Sequence, residues 1–144
     1  MMRSYASDVQ QNGALNMVPG LLDEDRGMDQ MPMMLTGRAA LTLSSGSSTV
    51  SLGMVPFDAG IISVNILYPT APDADTSIDI GNTGDANAYG DHTAVAADLS
   101  NGDLEQDVSL DSVSVSAGDN LQIATDGAAS SGTAWVSVIL APKA

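Results

Sequence analysis

Oxygen-bearing side chains are concentrated between residues 73 and 91, the one stretch whose residue types and spacing could form a chemical site. The candidate ligands are Asp73, Asp75, Asp79 and Asp85. Carboxylate oxygens suit a hard cation such as calcium, but the calcium loop of about 12 residues needs alternating acids, a central glycine and a closing glutamate. Because this spacing is absent, the sequence favours ordinary Asx-rich turns, with calcium as the alternative. No other cofactor is expected.

The remaining residue types give little support to an enzymatic function. His92 is the only histidine, which nearly excludes the usual zinc sites. No Gly-x-Ser-x-Gly sequence is present to carry a serine nucleophile, and Asp75-Thr76-Ser77 lacks the glycine of an aspartic-protease signature. Because the acids lie among Gly and Ser, we expect them to stay solvated and not to acquire the raised pKa that acid–base catalysis needs. We predict a protein without enzymatic activity, with His92 in a loop.

Two tyrosines flank the Asx-rich stretch and point to a different kind of site. Sugar-binding proteins use exposed aromatic rings, which have an apolar face and a polar edge, and Tyr68 and Tyr89 could form a small platform of this type. The alternative function is therefore a receptor- or glycan-binding β module of a phage fibre or an adhesin. The only tryptophan, Trp135, is predicted to anchor either the core or an interface.

The net charge of the chain limits the classes of partner that it can bind. With 18 acids, 4 bases and a formal net charge of -14, the protein repels phosphate backbones and anionic lipid surfaces. We therefore expect neither nucleic acid nor a membrane as a partner. Cysteine is absent, which excludes disulfides and thiolate metal sites. No apolar run approaches the roughly 18 residues of a membrane span, and no signal-peptide pattern is present, so we expect use without translocation.

Short β-like runs must position these side chains. From Ala39 onward, apolar residues alternate with Ser, Thr and Asp, and Gly, Pro and Asx turns separate the runs. The predicted strands are 39–43, 49–54, 61–67, 76–80, 94–99, 108–115, 120–125 and 133–140. No helical pattern lies between them, so the sequence predicts an all-β body, a β-sandwich or jelly-roll-like fold of about eight short antiparallel strands. Asn101-Gly102 is predicted to form a tight hairpin turn between two of these strands.

Residues 1 to about 38 differ in composition from the rest of the chain. Seven of the eight methionines fall within the first 34 residues, where several Gly and Pro residues interrupt any helical period. The sequence therefore predicts two units. Residues 1–38 form an extended Met-rich N-terminal arm, and residues 39–144 form the β-sandwich body.

Two segments of the body resemble small β-rich structural proteins of tailed bacteriophage heads. They are the apolar run Gly60-Ile61-Ile62-Ser63-Val64-Asn65-Ile66-Leu67-Tyr68 and the later Asp79-Ile80-Gly81-Asn82-Thr83-Gly84-Asp85-Ala86-Asn87-Ala88-Tyr89. The likeness continues through 118–123 and 135–140, so it covers roughly residues 60–140. The resemblance implies a capsid decoration (cement) protein, a class that sits on the phage head, often as a trimer, and reinforces the junctions between major capsid subunits. It implies no catalytic residues.

The arm lies outside this resemblance, and its own physical chemistry points the same way. Methionine is unbranched and polarizable, so it can fill irregular grooves on a partner, and an extended arm spreads contact over a large area. The predicted partner-binding residues are Met17, Leu21, Leu22, Met28, Met31, Met33 and Met34. Folding back onto its own body is the alternative for the arm. We predict a virion structural protein, made in the host cytoplasm and placed on the capsid surface, that binds major capsid protein and copies of itself, for example as a trimer.

Overall fold

The computed structural model describes residues 34–44 and 46–143. They form a β-sandwich, which confirms the predicted all-β fold. The strands are β1 (Leu35–Thr42), β2 (Ser48–Met54), β3 (Ala59–Thr70), β4 (Thr76–Asn82), β5 (Asp85–Ala94), β6 (Asp103–Glu105), β7 (Ser114–Val115), β8 (Asn120–Thr125) and β9 (Thr133–Pro142). Helical structure in this part of the chain is limited to one 3-10 turn at Ala96–Asp98. None of its helices could span a membrane.

Two antiparallel sheets make up the sandwich. The five-stranded sheet has the order β1-β9-β3-β6, with the short β7 also paired to β3, and the four-stranded sheet has the order β2-β8-β4-β5. The chain moves from one sheet to the other between β1 and β2, and again between β2 and β3. Strands that are distant in sequence are therefore neighbours in each sheet, as in Greek-key sandwiches.

The core lies between the sheets and is built almost entirely from aliphatic side chains. Along β9, every second residue from Ala134 to Leu140 is buried, because successive side chains of a strand point to opposite faces. Ile78, Ile80 and Ile123 of the four-stranded sheet are fully buried in the same core. Burial of each such side chain contributes about 1.5–3 kcal/mol.

Both lateral edges of the sandwich are closed by specific contacts. On one side β1 approaches β2 so closely that a Cβ atom on Gly37 would lie 2.9 Å from Cδ1 of Leu52. On the other side Glu105 of β6 accepts a 3.0 Å hydrogen bond from the Tyr68 hydroxyl. The Nε2 atom of His92, on β5, lies within hydrogen-bond distance of the same Glu105 oxygen. Glu105 therefore connects the edges of the two sheets.

Three predicted strand assignments were wrong. Residues 85–94 form β5, although their Asx-rich composition predicted a loop, because pairing with β4 satisfies their backbone. Of the predicted strand 94–99 only Ala94 is in a strand. The segment 108–113 is irregular, because its amides donate separate hydrogen bonds to other segments and do not form a strand ladder. For example, Asp111 N donates to Tyr89 O. Asn101-Gly102 does turn the chain, but it follows a 3-10 turn and so is not a hairpin between two strands.

Trp135 is on the outside of the sandwich, which excludes the core as its position. Its neighbours Ala134 and Val136 are fully buried, and strand alternation therefore turns Trp135 outward, where its exposed fraction is 47%. At the start of the body, residues 35–38, which the methionine content had assigned to the arm, lie in β1.

Candidate interaction surface

The acids proposed as calcium ligands hold turns in place. The Asp73 carboxylate accepts hydrogen bonds from the amides of Ser130 (2.8 Å) and Ser131 (3.1 Å) and from the Ser130 hydroxyl. These bonds, the hydroxyl bond foremost, hold the pKa of Asp73 below its usual value. Asp75 accepts a 2.9 Å bond from the amide of Ala96.

The other two candidate ligands are in and beside the β4–β5 hairpin. Asp85 accepts a 3.3 Å bond from the amide of Asn87. Asp79 is paired across the hairpin with Asp91. Partial burial, and then the negative charges of Asp91 and Asp126, raise the pKa of Asp79. Within residues 34–44 and 46–143, no group of three His, Asp or Glu side chains is placed to hold a metal ion.

The prediction of a sugar-binding platform was wrong, because both tyrosines are buried. Tyr68 has an exposed fraction of 0% and Tyr89 of 4%. The Tyr89 hydroxyl donates a 2.9 Å bond to Asp119 and accepts one of 3.3 Å from Asn82. Burial, reinforced by the neighbouring carboxylates, raises the pKa of both tyrosines. Neither ring has a face on which a sugar could stack.

His92 also differs from its prediction. It is in strand β5, and its ring is half-buried against Glu105. Its role in this position is to connect the two sheets. Its contact with Glu105, which the Tyr68 hydroxyl also contacts, was not predictable from spacing, because the three residues come from different strands.

The outer face of the five-stranded sheet is the most distinctive surface of the body. We call it the Trp135 face. It comprises the outward side chains Arg38, Ala40, Asn65, Leu67, Leu104, Trp135 and Ser137. Strand register places Trp135 between Ala40 and Leu67, and Leu104 on the far side of Leu67. Leu104 is 53% exposed, and a depression of about 310 Å³ lies between these side chains.

Charge distinguishes the Trp135 face from the rest of the body. Beyond residue 38 the chain has 13 acids, yet β1, β3 and β9 contain none of them. The single charged side chain that lines the depression is Arg38. The four-stranded sheet differs, because Asp79 and Asp91 lie side by side on it. A strand-by-strand count of acids does not reveal this asymmetry, because β6 contains Asp103 and Glu105, whose side chains alternate with Leu104 and so lie on the opposite side of the strand.

A second, smaller groove lies where β1 begins. Its volume is about 160 Å³, and its lining includes Leu35, Leu52, Met54 and Leu121. Met34, the first described residue, precedes β1 and is 57% exposed. The other predicted partner-binding residues, Met17, Leu21, Leu22, Met28, Met31 and Met33, lie outside the described residues.

Comparison with known proteins gives similarity in structure alone. No family model matches the chain, and no curated protein matches it. A chain of the cyanophage Pam1 capsid asymmetric unit has a similar fold, with a TM-score of 0.50 and 14% identity over 90% of this chain and 94% of that one. A chain of the acid-stable capsid of Helicobacter pylori bacteriophage KHP30 gives a TM-score of 0.47 and 12% identity, covering 77% of this chain and 93% of that one. At this level of identity, the likeness to the Pam1 chain is one of fold.

Proposed function

We propose that this protein is a structural component of a bacteriophage virion that binds the major capsid protein and reinforces the shell, without enzymatic activity. The observation that carries the proposal is the fold likeness to a chain of the Pam1 capsid, which extends over nearly the full length of both chains. The acidic body supports a position away from packaged nucleic acid, because it repels phosphate. The capsid surface is the proposed location.

The N-terminal arm is the proposed clamp. Its methionines can adapt to an irregular groove of the shell, and an arm that binds in an extended form would distribute the contact over a long path. The chain passes from Met34 straight into β1, whose eight residues all pair with β9. An arm held by the shell would therefore be attached to a paired strand of the body and not to a mobile loop.

Removal of the arm tests the clamp. Particles would be isolated from a phage that lacks the gene for this chain, and purified protein would then be added back. Deletion of residues 2–33 leaves β1 complete, so the body should fold while its occupancy on the particles falls at least tenfold. Occupancy is measured by quantitative gel analysis and by cryo-electron microscopy. Binding of the deletion variant at the wild-type level would refute the clamp.

Side-chain chemistry within the arm is tested by a matched pair of triple variants. Replacement of Met28, Met31 and Met33 by Ser should lower occupancy, because it removes the polarizable side chains. Replacement of Gln10, Gln11 and Gln30 by Ser removes the same number of long side chains and should leave occupancy unchanged. Equal losses in the two variants would show that methionine is not what the shell recognises.

A further inference from the structure

We infer that the Trp135 face binds the same face of a second copy of this chain, so that two bodies pair through their five-stranded sheets. The inference concerns the body and is independent of the proposed attachment to a shell. Its basis is the coincidence, on one face, of exposed apolar side chains, an exposed tryptophan, an arginine and a lining that contains no acid.

The exposed apolar side chains of this face are contiguous. Trp135, Leu67 and Leu104 are neighbours across three adjacent strands, and Ala40 extends the row on the fourth. Isolated exposed apolar residues are normal on a monomer, but a continuous patch rimmed by polar residues marks an interaction site. Tryptophan and arginine are also the residues that most often dominate the affinity of protein interfaces. The face therefore has the composition of an interface centre.

Charge identifies a second copy as the partner. Each chain has a formal net charge of -14, so two copies repel each other unless they meet where acids are absent. Contact through the four-stranded sheets would bring the Asp79 and Asp91 pair of one copy against the same pair of the other. Contact through the Trp135 faces directs those carboxylates away from each other. Two negatively charged bodies therefore repel each other less when they meet through this face than when they meet through the four-stranded sheets.

The face is also complementary to itself. A contact between identical patches related by a two-fold axis requires each patch to supply both halves of every interaction. Arg38 and Trp135 line one depression, so a two-fold contact can place the guanidinium of one copy over the indole ring of the other, in two symmetric cation–π contacts. Asn65 and Ser137 lie beside them and supply uncharged hydrogen-bonding groups.

The size of the face sets the strength of the contact. The four strands β1, β9, β3 and β6 are spaced by about 4.8 Å and have a summed length of about 110 Å, which gives roughly 500 Å² per copy and about 1,000 Å² for the pair. This total is at the lower limit for a specific contact, where complexes are weak and reversible. The pair should therefore form in a concentration-dependent manner. Because identical faces close after two copies, the result differs from the trimer that the sequence resemblance implies.

The first test measures mass by multi-angle light scattering on the full-length chain over about a hundredfold range of concentration. The mass should rise from 14.6 kDa toward twice that value. Trp135→Ser and Leu104→Ser should each shift the rise to at least tenfold higher concentration. The matched control is Met54→Ser, an apolar side chain outside the face that is 72% exposed. These side chains are on the surface, and circular dichroism checks that every variant is folded.

The second test uses charge. Ala40→Asp places a carboxylate on the Trp135 face and should abolish pairing, whereas Thr49→Asp on β2 of the other sheet should leave it unchanged. Added salt should strengthen pairing of the wild type, since it screens repulsion between the bodies. A wild type that stays monomeric throughout, a mass that reaches three chains, or equal effects of Ala40→Asp and Thr49→Asp would each overturn the inference.

Discussion

The contact between Tyr68 and Glu105 leads to a stability prediction in which a second substitution restores part of the stability that the first one removes. Tyr68 is fully buried, and its hydroxyl donates a 3.0 Å bond to Glu105. The Glu105 side chain is 30% exposed, so water can reach the carboxylate but not the phenol. The perturbations are Tyr68→Phe, Glu105→Ala and the two together.

Removal of one partner does not have the same consequence as removal of the other. A hydrogen bond to a charged group contributes about 1.5–3 kcal/mol. Tyr68→Phe should lower the free energy of unfolding by about 1.5 kcal/mol, the lower end, because water can hydrate the remaining carboxylate. Glu105→Ala leaves a buried hydroxyl without its acceptor, which adds a penalty of about 1–3 kcal/mol and gives a total near 3 kcal/mol. Adding Tyr68→Phe to Glu105→Ala removes that hydroxyl and should recover stability.

Urea denaturation of the four proteins, followed by circular dichroism, measures these differences as shifts in midpoint at constant slope. The coupling energy from the double-mutant cycle should be at least about 1 kcal/mol. His92→Gln is the control, since the other contact of Glu105 is partly exposed and contributes little, at about 0–1 kcal/mol. If Tyr68→Phe lowers stability as much in the Glu105→Ala background as in the wild type, the hydroxyl does not depend on Glu105 and the reasoning fails.

Three further outcomes are expected. Folding raises the pKa of Tyr68 above its ordinary value near 10, so the stability that Tyr68 contributes is complete below about pH 10 and is lost as the pH rises further. Tyr68→Phe should therefore flatten the alkaline decline of the melting temperature. Folding lowers the pKa of Asp73, so the stability that Asp73 contributes is complete above about pH 4 and is lost as the pH falls. Asp73→Asn should therefore flatten the decline of the melting temperature at acid pH. Ile123→Ala, at a fully buried core position, should lower the free energy of unfolding by about 2–5 kcal/mol, and a loss below 1 kcal/mol in urea denaturation would contradict its place in the core.

The central strands were largely predictable from the sequence, because apolar residues recur at every second position and turn residues bound each run. The prediction for residues 120–125 has the same bounds as β8, and that for 133–140 differs from β9 by two residues. Strand β5 could not be found in this way. Its residues are small or polar, and they become a strand because the tight turn after Asn82 brings them against the backbone of β4.

The candidate sites were less predictable than the strands. Tyr89 was predicted to be available for sugar stacking, but polar residues on other segments satisfy its hydroxyl and permit burial. Asp73, Asp75 and Asp85 accept hydrogen bonds from three different segments, and sequence spacing gives no information about the amide that each one faces. The outward position of Trp135, by contrast, follows from its apolar neighbours on each side, and strict use of the two-residue period would have identified it. The arm residues remain predictions.

The pairing of β1 with β9 has a mechanical consequence. Eight successive residue pairs connect the two strands, from Leu35 opposite Leu140 to Thr42 opposite Thr133. A force applied at residue 34 along the strand axis loads these hydrogen bonds together in shear, because the bonds of an antiparallel pair run perpendicular to that axis. Strands pulled sideways would instead separate one bond at a time. A tension applied through this terminus would therefore meet a resistance that depends on the unfolding rate of the sheet under load and not on its equilibrium stability.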